Sequence, residues 1–176
     1  ATLIAKREGE RVNVILPLGK GFSVAAASGT VLLVGGGVGV APLLYLGKQL
    51  NDSGVAVHFL LGARSAKDLL ELEEFEKYGK VSVTTEDGSM GEKGFVTQHS
   101  VWNTEKIERR SCCGPAPMMK AVARLATEKG IDCEVSLENV MACGLGACLC
   151  CVEDTVEGNV CVCKEGPVFN VKQLKW

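Results

Sequence analysis

Aromatic residues are scarce in this chain, with two tryptophans, two tyrosines and five phenylalanines among 176 residues. The stacking platform that single-stranded nucleic acids need is therefore missing. Positive charge is equally thin: 19 Lys and Arg stand against 21 Asp and Glu, with no basic block and a net charge of -2, which argues against a nucleic-acid partner. Long apolar runs are lacking too. No stretch reaches the ~18 to 20 apolar residues of a membrane span, and Ala1-Thr2-Leu3-Ile4 is too short for the apolar region of a signal peptide. No membrane partner is expected, and the expected location is the cytoplasm, a reducing compartment where clustered thiols do metal or redox work.

What the chain does have is cysteine, and most of it in one place. Residues 143 to 163, CGLGACLCCVEDTVEGNVCVC, hold six of the nine cysteines. Cys143, Cys148 and Cys151 are spaced Cys-x4-Cys-x2-Cys, with a fourth thiolate available downstream at Cys161 or Cys163. That is the plant-type arrangement for a [2Fe-2S] cluster. Four thiolates on one inorganic core require a tight fold, and Gly144, Gly146 and Ala147 leave amide N-H groups free to point at sulfur. Two other readings compete. Cys148-x2-Cys151 and Cys161-x-Cys163 form two knuckles that a four-thiolate zinc site would use. A disulfide framework is disfavoured by the odd count and by a chain large enough to have its own core, 47% hydrophobic. Cys150 neighbours a ligand, so its side chain is expected to point away.

From residue 30 the chain alternates strands and helices. Thr30 to Val34 is an apolar, β-branched run of the kind buried on both faces. It leads through Gly35-Gly36-Gly37-Val38-Gly39-Val40-Ala41-Pro42 into a helix with Leu43, Leu46 and Leu50 on one face. Strand, glycine turn and helix amino-terminus make a diphosphate site; the plainer reading is a turn that merely connects strand to helix. The turn departs from G-x-G-x-x-G, because a start at Gly35 ends on Val40 and a start at Gly37 ends on Pro42. The second strand, Val55 to Leu61, ends in Gly62-Ala63-Arg64-Ser65 without a carboxylate for a ribose 2'-hydroxyl, so NADH and NADPH both stay open.

Ser65 is expected to cap a helix running through Lys77. Further strands are expected at Val81 to Thr85, Ile107 to Cys112 and Asp132 to Leu137, with a short helix over 94 to 101 and a longer one after Cys113-Gly114-Pro115-Ala116-Pro117 that Gly130 ends. Five strands with intervening helices predict an α/β, doubly wound parallel sheet whose ligands sit beyond the strands' carboxyl ends. Residues 10 to 16, ERVNVIL, alternate as a half-buried strand does, yet a single strand with no nearby partner is not a domain. With no initiator methionine, this stretch is expected to be the end of a preceding domain, the plainer alternative being an edge strand of the main sheet.

GGGVGVAPLL, EDGSMGEKGFVT, CCGPAPMMKAV and SLENVMACGLGACLCCV followed by VCKEGPVF resemble, in that order, the ferredoxin-NADP reductase superfamily, specifically the electron-transfer subunits of type B dihydroorotate dehydrogenase. The resemblance runs from about residue 8 to the end. It implies a remnant of an FAD-binding β-barrel at 1-26, a pyridine-nucleotide domain at 27-137 and a small [2Fe-2S] domain at 138-176. It places the nucleotide diphosphate at Gly35, Gly36, Gly37, Gly39, Ala41 and Pro42, the adenosine end at Gly62, Ala63, Arg64 and Ser65, and the nicotinamide at Cys113, Gly114 and Pro115. Cys113 would position the nicotinamide ring, and Cys112 would face the other way. It selects Cys163 over Cys161 beside Cys143, Cys148 and Cys151 as cluster ligands.

The implied activity is electron transfer in pyrimidine biosynthesis: hydride from NADH to flavin N5, then single electrons to the cluster and on to an FMN-containing dihydroorotate dehydrogenase catalytic subunit in an α2β2 assembly. The Arg-x-Tyr-Ser/Thr type FAD motif of such subunits is not in this sequence, so FAD is expected in the full-length protein and not in this fragment. A sulfide dehydrogenase small subunit or an NADH-dependent ferredoxin:NADP oxidoreductase shares the layout, and a zinc-stapled nucleotide-binding module is the non-redox alternative.

Overall fold

A computed structural model describes residues 3-24, 29-104 and 107-176. The boundary expected at 26/27 lies outside these residues. The framework is a sheet of seven strands: β1 (Thr30–Gly36), β2 (Val57–Ala63), β3 (Lys80–Thr85), β4 (Glu92–Lys93), β5 (Ile107–Cys113), β6 (Asp132–Ser136) and, after a separate hairpin of β7 (Val152–Thr155) and β8 (Gly158–Cys161), β9 (Val168–Asn170). Their spatial order is β4-β3-β2-β1-β5-β6-β9, parallel throughout except for β9 against β6. All five strands expected from the alternation are present. The two additions are edge strands too short to show a periodicity.

The sheet is wound on both faces because β1 is apolar on both of its sides, from Val31 to Val34. Val31 and Leu33 pack with α1 (Ala41–Asp52) and α2 (Leu72–Glu76), whereas Leu32 and Val34 pack with α3 (Val101–Thr104) and α4 (Ala116–Glu128). Helix α1 buries Leu43, Leu46, Gly47 and Leu50, the i, i+3, i+4, i+7 stripe of an amphipathic helix. On that face Phe59 and Phe75 meet edge to face at 4.9 Å, a geometry that adds about 0.5 to 1.5 kcal/mol beyond area burial.

Two expected elements come out differently. Residues 10 to 16 form no strand and are exposed throughout. The edge beside β6 is taken by β9. The chain is instead anchored just after it: Lys20 N-H donates to the Gly166 carbonyl at 2.5 Å, Val168 N-H donates to the Lys20 carbonyl at 3.3 Å, and Lys20 pairs with Glu165 at 2.8 Å. The helix expected from Ser65 through Lys77 is broken in two. Ser65 does start a turn, its N-H and Oγ-H both donating to Asp68 Oδ2, but Glu71 sits at φ 52° and only α2 follows. The short helix expected near 94 to 101 is a 3-10 turn at Val96–Gln98 followed by α3.

Candidate functional site

Two sites stand out at the carboxyl edge of the sheet and beyond it. The first is a cleft of about 650 Å³. Its floor is Gly36 and Gly37 after β1, one wall is Gly62, Ala63 and Arg64 after β2 with Thr84 and Glu86 at the end of β3, and the opposite wall is Pro115, Pro117, Met118 and Ala121 of α4. Phe95, Val96 and Thr97 close the side. This is the crevice outside the strand ends where open α/β sheets bind ligands. Backbone bonds tie its far end together: Glu86 N-H donates to the Ala63 carbonyl, Asp87 N-H to the Arg64 carbonyl, and Ala66 N-H to Ser89 Oγ.

Of the nucleotide residues expected from the sequence, Gly36, Gly37, Gly62, Ala63, Arg64 and Pro115 line this cleft. The others support it. A methyl group on Gly35 would come within 2.9 Å of Val40 and 3.0 Å of Leu43, and one on Gly39 within 2.6 Å of the Gly114 backbone. Gly39 and Gly114 are thus a backbone-to-backbone contact that brings the glycine turn against the end of β5. Ala41 and Pro42 begin α1, and Ser65 is engaged with Asp68.

Cys113 is buried and does not line the cleft. It belongs with Val40 and Leu43 on the α1 side of the sheet, whereas Cys112 packs on the α4 side. Burial, with Glu138 nearby, pushes the Cys113 thiol up to about 11. It is a protonated thiol at neutral pH, suited to packing or hydrogen bonding and not to nucleophilic attack.

Asp68, Phe95, Val96, Thr97, Met118 and Ala121 complete the cleft without having been singled out from sequence. Phe95 carried a signal, since it lies in the EDGSMGEKGFVT block and is an exposed aromatic in a chain with few. Met118 and Ala121 looked like ordinary helix residues.

The second site is the cysteine loop. Cys143 Sγ accepts the Leu145 N-H at 3.3 Å, and the amides of Cys148 and Ala147 and the Cys148 thiol also point at it. These donors hold the Cys143 thiol down at about 6. Deeper in, Cys151 Sγ accepts the Cys163 N-H at 3.4 Å, which lowers its pKa, while burial and then the Cys151 sulfur raise that of Cys163. Among the described residues no three His, Cys, Asp or Glu side chains are drawn together as tightly as a single ion requires. Cys143 has Cys148 beside it toward the surface and Cys151 has Cys163 beside it in the interior, and the Cys143 sulfur also bears on Cys163.

Cys161 lies apart from both pairs, its Sγ 3.5 Å from the Gly146 carbonyl. Cys150 is exposed. Leu145 and Leu149 form an exposed apolar rim, and a methyl group on Gly144, at φ 68°, would come within 2.9 Å of Leu18 and 3.3 Å of Ile15 in the amino-terminal segment.

Comparison with known proteins bears on both sites. Residues 33-124 match the model of the oxidoreductase NAD-binding domain, and residues 138-175 match that of the iron-sulfur cluster binding domain of dihydroorotate dehydrogenase B. The electron transfer subunit of dihydroorotate dehydrogenase B (NAD(+)) from Bacillus velezensis is 44% identical, covering 98% of this chain and 68% of its own length. That from Listeria monocytogenes is 42% identical, over 96% of this chain and 67% of its own. A solved NADH-dependent reduced ferredoxin-NADP oxidoreductase, studied for flavin-based electron bifurcation, superposes with a TM-score of 0.86 at 35% identity, covering 99% of this chain and 64% of that one. The chain spans about two thirds of the length of these relatives.

Proposed function

The chain belongs to the family of dihydroorotate dehydrogenase B electron transfer subunits, and from that premise we propose that it carries electrons between a pyridine nucleotide in the strand-end cleft and a [2Fe-2S] cluster on the cysteine loop. The observation that carries this reading is that one loop brings Cys143, Cys148, Cys151 and Cys163 together with backbone N-H groups of Leu145 and Cys163 donating to the sulfurs of Cys143 and Cys151. The donor set fits such a group in its chemistry as well: amide N-H groups already directed at Cys143 and Cys151 stabilise thiolate sulfur, as they would sulfur bound to iron.

A bound cluster would accept and release single electrons, and the nucleotide would supply a hydride. The protein's own part is to hold and orient. Gly36 and Gly37 let a diphosphate approach the backbone at the end of β1, Arg64 and Ser65 mark the adenosine end, and Cys113 and Gly114 set the distance between the glycine turn and β5. Cys113 then acts on the nicotinamide from behind the cleft wall. The surface pair Cys143 and Cys148, rimmed by Leu145 and Leu149, faces the direction in which electrons leave.

In the whole protein, residues 1-26 would complete an FAD-binding barrel, 27-137 the nucleotide domain and 138-176 the cluster domain, with FAD between nucleotide and cluster. The partner is an FMN-containing dihydroorotate dehydrogenase catalytic subunit, in an α2β2 assembly, in the cytoplasm and in pyrimidine biosynthesis. Among the described residues no helix is long and apolar enough to cross a membrane. The likeness to the ferredoxin-NADP oxidoreductase favours a second reading, reduction of ferredoxin or NADP.

Rapid mixing of the full-length, FAD-loaded protein with NADH tests the proposal. Cluster bleaching after flavin reduction, followed by dihydroorotate-linked turnover only when the catalytic subunit is added, is expected. A cluster that stays oxidised while the flavin is reduced would refute it, and turnover with ferredoxin alone would select the second reading.

A further inference from the structure

The loop between β3 and β4 is closed on itself. Thr85 Oγ1 accepts the Met90 N-H at 3.0 Å and donates to the Met90 carbonyl at 2.8 Å. Gly91 follows at φ 67°, where a side chain would run into the Val83 carbonyl, so the returning chain lies against β3. Inside the loop, Asp87 Oδ1 accepts both the Ser89 Oγ-H at 2.6 Å and the Ser89 N-H at 2.9 Å. Those two bonds hold the Asp87 carboxyl below the usual carboxylate range. With its proton committed to Asp87, the Ser89 hydroxyl has lone pairs to offer, and one of them accepts the Ala66 N-H at 2.8 Å.

Ala66 belongs to the segment after β2, which lies beyond the sheet ladder. Its 3-10 turn, Ala66–Asp68, is closed by Ser65 with Asp68, and Glu71 at φ 52° separates it from α2. Arg64 and Asp68 of this segment line the cleft. Arg64 is bracketed from the β3–β4 loop: its carbonyl accepts the Asp87 N-H at 3.2 Å, and Ser89 holds the amide two residues on. Resting on the nucleotide reading of the cleft, we propose that Ser89 is a positioning residue: through Ala66 it latches the segment carrying Arg64 to the self-closed loop, and so fixes the place from which the guanidinium reaches the adenosine end of the nucleotide. Asp87 orients Ser89 in turn. A binding group whose backbone is already placed has less to order when the ligand arrives, which is how preorganisation raises affinity.

The test measures ADP-ribose binding by calorimetry on the full-length, FAD-loaded protein and on Ser89→Ala, Ser89→Thr, Arg64→Ala and the double variant of Ser89→Ala with Arg64→Ala. Hydrogen exchange at the Ala66 amide is read for each. Ser89→Ala is expected to exchange Ala66 faster and to weaken ADP-ribose binding by roughly three- to tenfold, the worth of one hydrogen bond. Ser89→Thr, which keeps the hydroxyl, is expected to recover most of both. Because Ser89 acts through Arg64, the double variant is expected to bind no more weakly than Arg64→Ala alone. Losses that add in the double variant, or unchanged affinity in Ser89→Ala despite faster Ala66 exchange, would overturn the inference while leaving the cleft as the nucleotide site. Unchanged Ala66 exchange in Ser89→Ala would overturn the latch itself. A parent protein that binds no ADP-ribose would overturn the nucleotide reading, and this inference with it.

Discussion

The backbone N-H of Cys163 donates to the sulfur of Cys151 at 3.4 Å, across twelve residues of chain and inside the protein. That bond joins the start of α5 (Val162–Glu165) to the end of the cysteine loop and fixes which downstream cysteine turns inward. Cys151→Ser and Cys143→Ser are each expected to remove most of the bound iron, one from each pair. Cys150→Ser, whose thiol is exposed, is expected to keep it. Iron analysis of the three variants decides the matter, and loss in Cys150→Ser would mean that the pairs are misassigned.

The glycine turn makes two separable demands. A methyl group on Gly39 would come within 2.6 Å of the Gly114 backbone, where neither side can yield, whereas one on Gly37, which lines the cleft, would meet nothing within 4 Å. Gly39→Val is expected to destabilise the fold by about 1 to 3 kcal/mol or more through overpacking. Gly37→Val, at φ 56°, costs only local strain on the order of 1 to 2 kcal/mol but should weaken ADP-ribose binding at least as much as Gly39→Val does in the molecules that remain folded. Calorimetric binding paired with thermal melts separates the two; equal losses of stability would contradict the distinction.

Arg110 is buried in the core with its guanidinium 4.6 Å from the Trp102 ring, and its Nε and Nη1 have no hydrogen-bond partner among the described residues. Burial pulls its pKa down to about 10, with Cys133 alongside it on β6 partly offsetting this. A buried cation with no carboxylate beside it among the described residues is costly, and replacing such a charge by a shape-matched apolar side chain is commonly neutral or stabilising by about 1 to 4 kcal/mol. Arg110→Met is therefore expected to melt at or above the parent temperature. A large drop would show that the guanidinium has a partner worth more than its desolvation.

Acidification should loosen the side of the cleft. Burial holds His99 below its usual 6.5, against the pull of Glu92 and with His58 and Lys80 also facing it. Its Nδ1 accepts the Val101 N-H at 3.0 Å, so the neutral ring is the one that fits. Unfolded, His99 takes up its proton as pH falls through 6.5, and folded it does so only lower; stability is therefore full above 6.5 and declines below it. Glu92, lowered by its bonds from Ser100, adds a loss in the same direction as pH drops below the usual carboxylate range. Hydrogen exchange at Val101 is expected to quicken between pH 7 and 5.5 by an amount on the order of one hydrogen bond, about 1 kcal/mol, and His99→Asn to flatten that dependence. A flat profile in the parent would refute it.

The sheet was legible because its central strands β1 and β2 are buried on both faces and read as apolar runs, as Thr30–Gly36 does, and the remaining expected strands alternate with helices around them. The glycine turn and the cysteine spacing are local, so they too were readable. Residues 10 to 16 misled because alternation reports an amphipathic pattern and not the presence of an edge to pair with, and β9 had taken that edge from far along the chain. The break at Glu71 was hidden by a run of good helix formers. Cys161 against Cys163 was undecidable by spacing alone, because the choice rests on which sulfur the Cys151 loop meets in space.

Metal analysis with EPR on anaerobically purified protein tests the cluster most directly. Iron and acid-labile sulfide in equal amounts, about two of each per chain as a [2Fe-2S] centre requires, with a rhombic signal on reduction, are the expected result. Colourless protein carrying stoichiometric zinc and silent in EPR would contradict it.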